Sequence, residues 1–335
     1  MKISASIYSS NGKNLKSLIK ELDAYHIDFF HIDCNDNPAV FDDIATIREI
    51  SNTPVDLHLI TSEPEKYFEL INKYHIEMLT FQYENLFKIP DIPSNLKTKL
   101  GLALVSETEV EIFDKFKDSF SFILFMATTP GKSGGVFNKK TFRKIREFRS
   151  KYPDKKILID GGINEEISFI LRNMGVYAVV TGSFLFQEQF IGSALLKLKS
   201  DNVKSHYTVG DFMLQKDEIP YLVESNYSFI EVLQTIEDYK MGFTHIINEN
   251  GKLEGIISNA DVRRSLLKYR ESDNFKFPEL IINRHPAVVK DTDTISEMLE
   301  LIKNLDFPVL FLPVVDNKGN LCGTVKFNNL IKGES

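Results

Sequence analysis

Over the first two hundred positions, apolar and polar residues follow a repeating rhythm. Short apolar runs at 2–8, 27–33, 54–60, 77–82, 99–104, 120–126, 156–160 and 177–181 read as buried strands. Between most of them the apolar positions switch to helical spacing, as in Leu15, Leu18, Ile19 and Leu22, or Tyr67, Leu70, Ile71 and Tyr74. Ile191, Ala194, Leu195 and Leu198 predict a last helix over 190–203. Eight strands alternating with helices predict an α/β fold, a (β/α)8 barrel of the TIM type. The competing open doubly wound sheet normally carries a glycine-rich turn after its first strand, and Ser6-Ile7-Tyr8-Ser9-Ser10-Asn11-Gly12 is not one.

Past the sequence DNVKSHYTVGD, which reads as a linker, the pattern changes. Two units follow, each with an extended start, a helix, a strand, a turn, a strand and a helix. Residues 246–257 predict a hairpin around Asn250-Gly251, and residues 314–325 repeat it at an offset of roughly 68. Two copies make one compact unit rather than a solenoid. The expected boundaries are a barrel over 1–204, a linker over 205–212, and repeat units over 213–272 and 273–335.

Composition narrows the partners. The 335 residues are 43% hydrophobic and 26% charged, with a net charge of -7 and both signs interspersed. That argues against a broad nucleic-acid surface but leaves room for a local anion pocket. Cys34 and Cys322 lie far apart, which fits a reducing cytoplasm rather than a disulfide framework. The expected protein is cytoplasmic, with neither a signal peptide nor a membrane span.

The candidate chemistry starts at His31-Ile32-Asp33. Spacing of two puts His31 and Asp33 on one face at the end of a strand. Taken alone, the pair fits a buried histidine satisfied by a neighbouring carboxylate better than a site. His58 and Asp160 also end strands, and Ser6 ends the first, so that all converge on one barrel mouth. Two imidazoles and two carboxylates suit one divalent ion such as Zn, Fe, Mn or Co. Such an ion would stabilise an enediolate, and two aspartates on opposite faces of that plane could invert a carbon. Glycines follow strands 6, 7 and 8 in Gly131, Gly134, Gly135, Gly161, Gly162 and Gly182-Ser183, with Lys132-Ser133 among them. Singly they are tight turns, whereas clustered at consecutive strand ends they predict a phosphate clamp.

These marks, with Ser4-Ala5-Ser6-Ile7, Asp56-Leu57-His58-Leu59 and Gly101-Leu102-Ala103-Leu104, resemble the ribulose-phosphate 3-epimerase family over residues ~2–190. The resemblance implies a metal held by His31, Asp33, His58 and Asp160, with Asp33 and Asp160 as the acid/base pair. It further implies substrate contacts at Ser6, His58, Met126, Gly131, Ser133, Gly134, Gly135, Gly161, Gly162, Gly182 and Ser183. The chain departs from the family at Asn35-Asp36-Asn37, at Ile60, at Gln82 in place of a histidine, and at Lys132-Ser133. The metal set is kept and the wall expected to shape the substrate is changed.

Gly255 through Asp261 resembles the CBS-domain nucleotide motif, which implies nucleotide contacts at Thr244, Ser258 and Asp261. The second copy carries Lys326 and Asn329 at the last two places. Asp217-Glu218-Ile219-Pro220 and Ser258 through Arg264 also resemble the CBS tail of arabinose-5-phosphate isomerases. Together the resemblances imply an isomerase that epimerises D-ribulose 5-phosphate to D-xylulose 5-phosphate. They also imply a nucleotide or nucleotide-sugar effector at a CBS pair and a homo-oligomer, at least a dimer. The alternatives are a hexulose 6-phosphate as substrate, a related isomerase reaction, or a non-catalytic sugar-phosphate-sensing scaffold.

Overall fold

The structure is a computed structural model, and it describes every residue except 11, 130–133, 201–204, 226, 270–281, 308 and 328–335. The described chain falls into two compact units that part between residues 200 and 205.

In the first unit eight parallel strands close a barrel: β1 Lys2–Ser6, β2 Phe29–Cys34, β3 Val55–Leu59, β4 Met78–Gln82, β5 Lys99–Val105, β6 Phe122–Met126, β7 Lys156–Asp160 and β8 Ala178–Thr181. Each pairs with the next, and β8 returns to β1. β1 is shorter than the apolar run 2–8 predicts, because Ile7–Ser9 tighten into a 3-10 turn. The barrel interior is filled by Phe29, Met78, Phe122, Leu124, Met126, Leu158 and Val180 among others. Burying each such side chain contributes about 1.5–3 kcal/mol. Outside the strands, helix Leu15–Ala24 starts where the Asn14 side chain accepts the N–H of Ser17, and it buries Leu18, Ile19 and Leu22 as their spacing predicts.

The second unit holds a three-stranded sheet, β10 Tyr221–Val223, β11 Phe243–Ile247 and β12 Leu253–Ser258. A four-stranded sheet is built from β13 Val289–Lys290, β14 Phe311–Val315, β15 Leu321–Lys326 and β9 Leu214–Gln215. β9, from the first repeat, pairs with β15 of the second. Residues 208–212, read as linker from the sequence, instead form a helical turn. Thr208 and Asp211 cap one another there, and that satisfies the exposed N–H groups.

The two hairpins match at the expected offset. Asn248 Oδ1 accepts the N–H groups of Asn250 and Lys252, and Asp316 Oδ1 accepts those of Lys318 and Asn320. Gly251 and Gly319 take positive φ of 82° and 84° at the equivalent turn positions. The copies bind each other reciprocally, Leu253 N–H to Gly319 O and Leu321 N–H to Gly251 O, both at 3.0 Å. Phe243 and Phe311, also equivalent, stack at 3.6 Å between ring centroids. The duplication seen in sequence is therefore a near-twofold relation within the tail.

Candidate functional site

The barrel register brings the chemistry together. His31 lies beside Asp56, Asp33 beside His58, Met126 beside Asp160 and Ser6 beside His31. One ligand atom each from His31, Asp33, His58 and Asp160 fall within 4.8 Å of one another. Strand ends on β2, β3 and β7 thus deliver four metal-capable groups to one point, as residues at the C-terminal end of barrel strands do.

The hydrogen bonds fix which ring nitrogens face that point. Ser4 Oγ donates to Asp56 Oδ2, which also lies 2.9 Å from His31 Nδ1. A carboxylate only accepts, so His31 Nδ1 carries the proton. His31 Nε2 is left without a hydrogen-bond partner, 3.4 Å from Asp33 Oδ1 and 4.0 Å from Asp160 Oδ2. Across the mouth, His58 Nε2 lies 2.8 Å from Gln82 Oε1, and His58 Nδ1 lies 3.0 Å from Asp33 Oδ1. An imidazole donating to Gln82 turns a lone pair toward an ionised carboxylate. Two lone pairs at 3.0 Å repel, so this contact is favourable with a cation between them, a proton on Nδ1 or a metal ion. The residues present fit a divalent cation in donor chemistry, with two nitrogens and two oxygens converging.

The charges agree. Burial opposes a proton on His31, but Asp56 and Asp33 outweigh it and hold the imidazole well above its usual range. Burial would raise Asp33, yet His31, and His58 when its Nδ1 carries a proton, draw it below the ordinary carboxylate range. Asp160 is pushed up to about 6, chiefly by burial and further by Asp33, against the pull of His31. Three carboxylates, Asp33, Asp56 and Asp160, thus crowd the two buried imidazoles of His31 and His58, a setting that favours a cation.

Beside the cluster lies a cleft of about 680 Å³, open solvent included, lined in part by Asp33 and Asp160. Ser6, Gly134, Gly135, Gly161, Gly162, Gly182 and Ser183, all singled out from sequence, also line it. At Gly161, with φ of 102°, a Cβ would meet Thr128 Oγ1 at 2.1 Å, so only glycine leaves this wall open. Gly131, Lys132 and Ser133 lie outside the described residues. Met126 is not brought to the cleft: it is 1% exposed and packs in the barrel interior. His58 is fully buried behind Asp33. Asn35, Asp36 and Asn37, expected to mark the substrate wall, do not line the cleft. Asp36 takes a left-handed φ of 54° and accepts from Thr61 and Tyr67 while pairing with Lys66, which turns its carboxylate elsewhere. Sequence reasoning missed Thr128, Thr129, Thr181 and Tyr8 as lining residues, and Asp56 as the residue that orients His31. Tyr8 donates to Asp43 Oδ2 at 2.8 Å. The i, i+2 spacing of Asp56 and His58 was the available signal for Asp56.

In the tail, Ser258 and Asp261 meet, but on each other. Ser258 N–H donates to Asp261 Oδ2 at 2.9 Å, Ser258 Oγ to the same oxygen at 2.5 Å, and Asp261 N–H to Ser258 Oγ at 3.3 Å. This is a capping box on helix Asn259–Tyr269. Arg264 pairs with the other Asp261 oxygen. Thr244 is fully buried on β11. Asn329 lies outside the described residues, and Lys326 ends β15.

Comparison with known proteins places both units. The ribulose-phosphate 3 epimerase family matches residues 2–186, and the CBS domain matches residues 209–268 and 279–334. The ribulose-phosphate 3-epimerase of Schizosaccharomyces pombe is 26% identical over 219 residues, 62% of this chain and 96% of that protein. The ribulose-phosphate 3-epimerase of Methanocaldococcus jannaschii is 28% identical over 214 residues, 59% of this chain and 90% of that one. Among solved structures, the CBS-pair protein CBSX2 of Arabidopsis thaliana, in complex with AMP, covers 38% of this chain and 94% of its own at 25% identity, with a TM-score of 0.32.

Proposed function

The chain belongs to the ribulose-phosphate 3-epimerase family, and on that premise we propose that its barrel inverts C3 of a ketose phosphate, with D-ribulose 5-phosphate the leading substrate and a hexulose 6-phosphate next. The observation that carries this reading is the convergence of His31 Nε2 and His58 Nδ1 on the oxygens of Asp33 and Asp160. His31, Asp33, His58 and Asp160 would hold one divalent ion, of Zn, Fe, Mn or Co type, which when bound would offset the negative charge that grows on the substrate's two oxygens.

The chain's own groups supply the proton transfers. Asp33, on β2, and Asp160, on β7, approach the cleft from different strands. One carboxylate takes the C3 proton and the electron pair of that C–H bond forms the enediolate. The other, protonated, returns a proton to C3 from the opposite face, and the epimer results. Ser6 at the cleft holds a substrate hydroxyl, and Gly134, Gly135, Gly161, Gly162, Gly182 and Ser183 bring backbone N–H groups to the phosphate. Gly131 and Ser133, implied by the same resemblance, lie outside the described residues. The intact set of four ligating groups favours catalysis over a sensing scaffold.

The tail is proposed to bind a nucleotide or nucleotide sugar at Ser258, Asp261 and Thr244, and its likeness to arabinose-5-phosphate isomerase tails belongs to the same proposal. Binding at Asp261 requires its carboxylate to exchange part of the capping box for ribose hydroxyls. The chain then works as a cytoplasmic homodimer. Among the described residues no helix is long and apolar enough to cross a membrane.

The test is elemental analysis of the purified chain together with conversion assays on pentulose and hexulose phosphates. One divalent ion per chain and formation of D-xylulose 5-phosphate are expected. Metal-loaded protein that converts none of them would overturn the reading. Calorimetry of the full chain with AMP, ATP and a CMP-sugar tests the tail, and silence toward all three removes the effector.

A further inference from the structure

Gln82 stands where a histidine is expected, and the residues behind it form a continuous chain of bonds. Gln82 is 1% exposed and its Oε1 lies 2.8 Å from His58 Nε2. Its Nε2 donates to Glu84 Oε2. The other oxygen of Glu84 accepts from Val105 N–H at 3.0 Å and from Thr108 Oγ1 at 2.5 Å. The turn that provides these donors is itself fastened: Thr108 N–H donates to Val105 O, and Lys144 Nζ donates to the carbonyls of both Val105 and Thr108.

An ionised Glu84 only accepts, so the amide of Gln82 must turn its NH2 toward Glu84 and its oxygen toward His58. That oxygen also only accepts, so His58 Nε2 must carry its proton and Nδ1 keeps the lone pair aimed at the metal-capable cluster. We infer that Glu84, acting through Gln82, is a positioning residue that sets the tautomer of His58 and so presets Nδ1 as a metal ligand. Ser4 and Asp56 do the same for His31 with the opposite nitrogen, and the two rings present one Nε2 and one Nδ1 to the same space. The inference rests on the metal reading of this site, but its first readout needs no metal.

The experiment is nitrogen-15 NMR of the His58 ring in the metal-free full chain, with Co2+ titration of the same samples. In the unaltered chain Nε2 is expected to be protonated. In Glu84→Gln the new side chain both donates and accepts, the Gln82 amide is free to flip, and part of the population is expected to show a bare Nε2. Affinity for Co2+ alone is then expected to fall about 10–100-fold, the usual scale for losing an outer partner of a metal-bound histidine. In the double variant Gln82→Glu with Glu84→Gln, acceptor and donor change places. The carboxylate at 82 accepts the hydrogen bond of His58 Nε2–H, the amide at 84 donates to that carboxylate, and both the tautomer and most of the affinity return. A bare Nε2 in the unaltered chain overturns the inference. So does a Glu84→Gln chain whose affinity falls with the tautomer unchanged, since the loss is then structural, or one in which neither changes. Failure of the unaltered chain to bind Co2+ while Nε2 is protonated and responds to Glu84→Gln counts against the metal and not against the positioning.

Discussion

Of the three histidines sealed among the described residues, His31 in the barrel at 1% exposure and His245 in the tail at 0% have opposite surroundings. His245 is closed on both sides: Nδ1 lies 2.8 Å from the carbonyl of Pro220, and Nε2 lies 2.8 Å from Thr324 Oγ1. It needs no charge, and burial pushes its pKa down to about 4 against the small opposing effect of the Pro220 carbonyl. His31 is closed on one side only, and its free nitrogen faces carboxylates that hold its protonated form well above the usual range. His245, with both nitrogens satisfied by neutral groups, serves the fold of the tail. His31 turns its other nitrogen to the carboxylates of Asp33 and Asp160, a donor set that suits a cation.

That contrast can be broken by substitution, and the largest effect is expected at Asp160. Asp160→Asn should lower C3 proton exchange by about 10²–10⁴-fold, the scale of one general acid or base. Its metal-free melting temperature should hold or rise, because a carboxylate raised to about 6 is costly to ionise in place. Exchange rates and thermal melts of the same sample check both halves.

The tail histidine should reveal itself through pH. A histidine with a depressed folded pKa binds its proton more readily when unfolded. Its stabilising contribution is therefore full above 6.5 and drains as pH falls toward about 4. Over that window the tail should lose about 3 kcal/mol, read from denaturant unfolding at several pH values. Conversely, metal uptake by the barrel should weaken as pH falls, first as His31, whose proton is held well above the usual histidine range, competes with the ion, and further through about 6, where Asp160 takes up its proton.

Smaller effects separate the two environments further. Asp56→Asn should release the tautomer of His31 and weaken Co2+ binding by about 10–100-fold, with the tail unaffected. Thr324→Val should leave His245 Nε2 unpaired and cost about 1–3 kcal/mol in tail stability, with metal binding unchanged. Gly319→Ala, at φ 84°, should cost about 1 kcal/mol in the same melts.

Much of this was legible because strands have a period of two. His31 and Asp33, or Asp56 and His58, share a face by spacing alone, and alternation with helices placed their strand ends at one mouth. What was hidden depends on contacts between strands. The register that sets His31 beside Asp56 joins residues 25 apart, and nothing local marks it. The pairing of β9 with β15 crosses from one repeat to the other and is equally silent. Asn35 to Asn37 misled because a departure from a family pattern says that a residue changed, not where its side chain points. Asp36 points to Thr61, Tyr67 and Lys66. Ser258 and Asp261 carry a different ambiguity, since serine and aspartate three apart write both a capping box and a nucleotide motif, and the fold satisfies the first.

The most direct test of the barrel's chemistry is one NMR experiment, in which metal-loaded protein is incubated with D-ribulose 5-phosphate in deuterium oxide. Deuterium is expected at C3 of both ribulose 5-phosphate and D-xylulose 5-phosphate, and at no other carbon. Deuterium at C1 instead, or none with ion fully bound, would contradict the assignment of Asp33 and Asp160 as the pair that inverts C3.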